Sequence, residues 1–132
     1  MIRVKDVALA MEEIAPLAYA EDFDNVGLLV GDYNDEVTGI LVTLDTTPEV
    51  VEEAIEKNCN LIVSFHPIIF SGLKKLNGKN YVEKAVMTAI KNGISIYATH
   101  TALDNSKVGV NFKISEQLAL LNTKILIPTS QT

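Results

Sequence analysis

Three short, almost uninterrupted apolar runs leave this chain few folds to adopt. They are Thr38-Gly39-Ile40-Leu41-Val42-Thr43-Leu44, Asn60-Leu61-Ile62-Val63-Ser64-Phe65 and Ile94-Ser95-Ile96-Tyr97-Ala98-Thr99. The first is β-branched and almost wholly apolar, as expected of a strand covered on both faces, and the other two read as buried strands beside it. Helical patterns separate them. Thr47 can cap the first connecting helix, and Pro48 suits its first position, where a missing N–H loses no partner. Val50, Val51, Ala54 and Ile55 make its inner face, and Glu49, Glu52, Glu53, Glu56 and Lys57 its solvated one. The second helix runs from Tyr81 to about Lys91, with Val82, Ala85, Val86, Ala89 and Ile90 turned inward, and stops at Asn92-Gly93. Strand, helix, strand, helix, strand implies parallel pairing with right-handed crossovers. The expected fold class is α/β, a mostly parallel sheet flanked by helices.

The flanking segments extend this frame. Val4, Val7, Ala8, Met11, Ile14 and Ala15 have helical spacing, and Pro16 closes that helix. The loop Tyr19 to Asn25 leads into a short apolar run, Val26 to Val30. A further helix is expected over Asn111 to Leu121, and one more strand over Lys124 to Ile127. Residues 1–132 read as a single α/β domain, and the chain ends so soon after that last strand that truncation at the C-terminus is expected. Hydrophobic residues make up 48% of the chain, which argues against disorder. The formal net charge is -6 with no basic stripe, which argues against binding nucleic acid through its phosphates. The lone cysteine, Cys59, can form neither an intramolecular disulfide nor a zinc motif by itself and reads as a half-buried filler. The N-terminus lacks a signal peptide's apolar run, and no stretch is long and apolar enough to span a membrane. A cytoplasmic protein without a membrane partner is expected.

Parallel strands share a direction, so their C-terminal ends lie on one edge of the sheet, where open α/β sheets bind ligands. The first run ends at Asp45, the second at His66 and the third at His100. These are the only two histidines, and both follow buried strands directly. Adjacent strands lie about 4.8 Å apart, so side chains at their ends can converge on one ion. Asp104, four residues beyond His100, can fold back towards it. Imidazoles with a carboxylate suit zinc, iron, manganese, nickel or cobalt, and residue type does not choose among these divalent metals. Each residue also has a plainer reading. His66 before Pro67 can cap a strand end, Asp104 beside Asn105 and Asp24 beside Asn25 are ordinary turn chemistry, and Asp45 can organise the start of the helix after it.

Other chemistries lack their signatures. Gly72 and Gly78 sit among lysines but match no phosphate-loop pattern. Ser64 lies two residues before His66 without the nucleophile-elbow sequence of a serine hydrolase.

Three segments in order, Glu21-Asp22-Phe23-Asp24-Asn25-Val26-Gly27-Leu28, Ser64-Phe65-His66-Pro67-Ile68-Ile69-Phe70 and His100-Thr101-Ala102-Leu103-Asp104, closely resemble the NIF-three-like family (NGG-interacting factor three). That family is also known as GTP cyclohydrolase 1 type 2 homologues. The resemblance spans nearly the whole chain. It implies an α/β fold that forms hexameric rings, a homo-oligomer with divalent metals facing an internal cavity. His66, His100 and Asp104 would be metal ligands. Asp45 would orient a ligand or water, and Asp24 and Asn25 would line the same cavity. Phe65 stands where the family motif has the first of two adjacent histidines, and the family's C-terminal His and Glu have no counterpart here. The chain therefore resembles the N-terminal portion of a family member, with three ligands that can hold one ion and leave a position open to water. The resemblance implies a metal-dependent, cyclohydrolase-like hydrolase acting on a small molecule such as a nucleotide or pterin-like ring, with a non-catalytic metal-binding scaffold or regulatory protein acting through assembly as the alternative.

Overall fold

The computed structural model describes residues 1–130. Four strands, β1 (Gly27–Val30), β2 (Ile40–Thr43), β3 (Leu61–Ser64) and β4 (Ser95–Ala98), form one sheet in the order β1-β4-β3-β2. β2, β3 and β4 are parallel, as the crossover pattern requires, and β1 joins β4 antiparallel. The helices are α1 (Val4–Ile14), α2 (Pro48–Glu56), α3 (Tyr81–Lys91), α4 (His100–Asp104) and α5 (Val110–Gln117), with a single 3-10 turn at Leu17–Tyr19.

The two crossover helices lie on one face. Val51 and Ala54 of α2 and Ala85, Val86 and Ala89 of α3 pack with Ile62 and Ile96, whose side chains leave the sheet on that side. Small residues on both helices allow close approach to the sheet and to each other. Thr47 caps α2 by accepting the Val50 N–H at 3.3 Å, and Asn80 caps α3 by accepting the Glu83 N–H at 3.0 Å. Gly93, at φ +64°, ends the turn after α3. The opposite face is covered by α1, whose Val4 and Ala8 pack on Leu61, Val63 and Tyr97. Leu61, Ile62 and Ile96 are almost completely enclosed, each contributing about 1.5–3 kcal/mol by burial. Cys59 is half-buried against the α2–α3 layer, the filler expected of it.

Three expectations need correction. The first apolar run was expected to be covered on both faces, yet β2 is an edge strand. Ile40 and Val42 pair with Leu61 and Val63 and so point to the α1 side, but α1 packs over β3 and β4, leaving Val42 77% exposed. Lys124 to Ile127 forms no strand. No neighbouring strand is offered to it among the described residues, and Leu126 and Ile127 remain exposed. The helix expected over Asn111 to Leu121 ends at Gln117 and buries no residue. Among the described residues no helix is long and apolar enough to cross a membrane.

Candidate metal centre

The sheet register delivers four candidate residues to one row. Thr43 faces Ser64, Ser64 faces Ala98, and Ala98 faces Gly27. Asp45, His66 and His100 each lie two residues past those positions, and Asn25 lies two residues before antiparallel β1. The backbone keeps pairing beyond the strands: the His66 N–H donates to the Leu44 carbonyl at 3.0 Å, and the His100 N–H to the Phe65 carbonyl at 2.8 Å. Ser64 is buried, and its hydroxyl donates to the His66 carbonyl at 3.0 Å, so it shapes this turn. His100 opens α4 at φ +30°, a left-handed conformation that a non-glycine residue holds only under constraint. On that short helix His100 and Asp104 are i and i+4, which places them on one face.

Both imidazoles are oriented by carboxylates. His66 Nδ1 lies 2.7 Å from Asp45 Oδ1, and His100 Nδ1 lies 2.9 Å from Asp24 Oδ1. The two rings are 5.5 Å apart, centroid to centroid. With Nδ1 engaged on each ring, Nε2 is left as the second functional nitrogen. Histidines that bind metal are held in this way, with a carboxylate fixing tautomer and ring plane. Asp104 stands close enough to sense both. Burial pushes its carboxyl above the ordinary value and the Asp24 charge adds to that, while His100 and His66 act against it. Among the described residues no three His, Cys, Asp or Glu side chains already converge on one point as a metal cage. The arrangement is two oriented imidazoles with a carboxylate alongside.

Asp24 does more than line the site. Its side chain is wholly covered, and it accepts the Thr101 N–H at 3.0 Å, the Thr101 hydroxyl, the Asn25 N–H at 2.8 Å and His100 Nδ1. Burial pushes its carboxyl up, but these hydrogen bonds outweigh it and the net shift is downward. Asn25 reaches the other way, its Nδ2 donating to the Ile69 carbonyl at 2.6 Å, three residues past His66. Asp24 and Asn25 therefore tie the His100 and His66 segments together. The Glu21 N–H donates to Thr101 Oγ1, and Asn105 Nδ2 donates to the Tyr19 carbonyl, fastening the same loop to α4. Thr101, Glu21 and Asn105 were not singled out from the sequence. Their partners lie about eighty residues away, and no local pattern signals such a pairing.

Phe65 packs its ring 5.0 Å from His66 and 5.5 Å from His100. Phe70 stands 6.3 Å from His100, and Phe23 6.5 Å from Phe70. A cavity of about 1020 Å³ opens beside Asp104, lined among others by Glu21, Asn105, Lys107, Asn111 and Lys124.

A mostly parallel α/β sheet with carboxylate-oriented histidines at its C-terminal edge defines the class. Within it, residues 2–131 match the Duf34/NIF3 (NGG1p interacting factor 3) family, and the chain belongs to that family. It is 42% identical over 125 residues to the GTP cyclohydrolase 1 type 2 homolog of Clostridium acetobutylicum, covering 95% of this chain and 47% of that one. The Staphylococcus aureus homolog of the same name is 41% identical, with 95% of this chain and 34% of that one covered. The crystal structure of a Bacillus cereus protein related to NIF3 superposes with a TM-score of 0.90 at 39% identity, covering 97% of this chain and 35% of the other. The chain thus spans less than half the length of these relatives.

Proposed function

We propose that this chain binds a divalent metal ion through His66, His100 and Asp104 and belongs to a metal-dependent hydrolase. One observation carries the reading: both imidazoles have Nδ1 held by an aspartate, and Asp104 lies one helical turn from His100 on the same face. The donor set fits zinc, iron, manganese, nickel or cobalt. Coordination requires Asp104 to close on the two rings. Asp45 and Asp24 keep the rings oriented, and Asn25 holds their two segments together. A divalent ion bound there would supply a hydroxide nucleophile from water near neutral pH. The substrate is a small molecule, and the homologues' name, GTP cyclohydrolase 1 type 2 homolog, supports a ring-opening hydrolysis of a nucleotide or pterin-like ring. Assembly of the whole protein into hexameric rings is part of the same proposal and follows from the family resemblance.

A non-catalytic metal-binding scaffold is the second reading, and Phe65 favours it. A phenyl ring packed against both imidazoles cannot ligate, so the position of the family's first histidine offers no donor here.

Elemental mass spectrometry on the tag-free chain tests the metal, with the His66→Ala/His100→Ala variant beside it. About one ion per chain, lost in the variant, is the expected result. No ion after supply of zinc, iron and manganese overturns the metal reading. Turnover by the metal-loaded protein that His100→Ala abolishes separates the hydrolase from the scaffold.

A further inference from the structure

The two crossover helices carry opposite charge on the side that faces away from the sheet. On α2, Glu49, Glu52, Glu53 and Glu56 are exposed together with Lys57. On α3 and the loop that leads into it, Lys74, Lys75, Lys79, Lys84 and Lys91 are exposed. The one acid within that stretch, Glu83, is buried and accepts the Asn77 N–H at 3.1 Å. The helices pack side by side on one face of the sheet, yet among the described residues no ion pair joins them. The ion pair on this surface, Lys57 with Glu53 at 3.9 Å, lies within α2. Tyr81, Ile90 and Ile55 are 61%, 56% and 38% exposed among these charges. The layer thus offers apolar area framed by charge, the make-up of a protein interface.

We propose that this helix layer is an interface between two copies of the chain, related by a twofold axis that runs parallel to α2 and α3 and between them. β2, β3 and β4 are parallel, so both helices start at the C-terminal edge of the sheet and run the same way. Rotation about that axis lays α2 of each copy on α3 of the other, start against start. The glutamates of each copy then meet the lysines of the other, twice over. A twofold axis across the helices would lay α2 on α2 and α3 on α3, with like charges opposed. The charge pattern therefore selects one arrangement and rejects the other. Such a contact is isologous and closes with two copies. Charge also selects the partner. A polyanion fits the lysines but meets the glutamates beside them, on a chain whose net charge is -6. The partner must be basic where α2 is acidic and acidic where α3 is basic, and the chain itself carries that surface. The inference rests on the self-assembly in the proposed function, for which it names one contact, and it needs no metal ion.

Sedimentation velocity on metal-free protein at about 0.02 M and about 0.5 M salt tests the face. Two charge reversals are compared with wild type. Glu52→Lys/Glu56→Lys makes α2 basic, and Lys84→Glu/Lys91→Glu makes α3 acidic. All four positions are exposed, so both variants should fold, and circular dichroism checks that they do. Wild type is expected to dimerise at the lower salt and about tenfold or more weakly at the higher. Each variant alone opposes like charges and should lose affinity for its own copy about tenfold or more. Mixed one to one, the variants set a basic α2 on an acidic α3 and an acidic α2 on a basic α3. The mixture should recover wild-type affinity to within about threefold. A wild type that is monomeric at the lower salt, variants that dimerise as well as wild type, or a mixture that stays monomeric overturns the proposal. So does a monomeric wild type that binds inorganic polyphosphate, which would assign the lysines to a polyanion. Metal content and assembly size keep the readings apart. Assemblies unchanged in both variants sink this face and leave the proposed rings standing, and dimers that form without metal uptake support the face while the metal site fails.

Discussion

His100 and His66 each present Nδ1 to an aspartate, but their surroundings differ. The Asp24 side chain is wholly covered, with its His100 partner 21% exposed, whereas Asp45 and His66 are 58% and 46% exposed. Asp24 has four hydrogen-bond donors directed at its carboxylate, and among the described residues His66 is the one partner of the Asp45 carboxylate. A hydrogen-bonded pair this exposed competes with water and loses side-chain entropy, so it contributes little. A covered carboxylate with several donors fixes geometry and is costly to disturb. One histidine is thus set in a rigid cradle and the other is held at an open rim. The rigid cradle also carries the backbone strain at His100.

The largest expected effect comes from removing the cradle. Asp24→Ala leaves several donors without an acceptor and should lower unfolding stability by about 3 kcal/mol in urea denaturation. Asp45→Ala should change it by less than about 1 kcal/mol. Equal losses would break the contrast between the two pairs. Metal affinity should follow the same order. Asp24→Asn is expected to weaken zinc or manganese binding about 10- to 100-fold, and Asp45→Asn towards the lower end of that range, read by competition with a chelating dye. A larger effect at Asp45 would mean that the rim, and not the cradle, sets affinity.

Acid titration sharpens the point. The Asp24 carboxyl is held below its ordinary value of 3.8, so the folded state stays unprotonated where the unfolded chain takes up a proton. Its stabilisation is fully present above the unfolded value and disappears as pH falls through the folded one. Wild type should therefore lose stability relative to Asp24→Asn below about pH 4. Identical pH profiles for the two proteins would remove the cradle's electrostatic role. The smallest effect is expected at Asp104. Its carboxyl is raised, so the charged form is penalised in the fold and the sign reverses. Metal-free Asp104→Asn should be more stable than wild type near neutral pH, by under about 1 kcal/mol, and should bind metal more weakly. A destabilised variant that still binds metal would assign Asp104 to the α4 turn alone.

Most of the fold was legible because its signals are local. Uninterrupted apolar runs, the Thr47-Pro48 helix start and the Asn92-Gly93 stop each act within a few residues. The pairing of β1 was not legible: Val26 to Val30 reads as an apolar run, and nothing in it selects an antiparallel place beside β4. Lys124 to Ile127 has the composition of a strand, but a strand needs a neighbour to satisfy its backbone, and the described residues provide none. The edge position of β2 was likewise invisible, since it depends on where α1 crosses the sheet.

The site divides in the same way. The sequence by itself placed His66, His100 and Asp45 on one edge, because strand direction and the crossover pattern fix where strands end. It also placed Asp104 one helical turn from His100. Only the tertiary structure decided that Asp24 holds His100, that Asn25 ties the two histidine segments together, and that Phe23 and Phe70 meet at the rim. Those contacts join residues more than forty positions apart. They arise from the packing of loops above the sheet, and a chain's local preferences contain no term for a partner that only folding brings near.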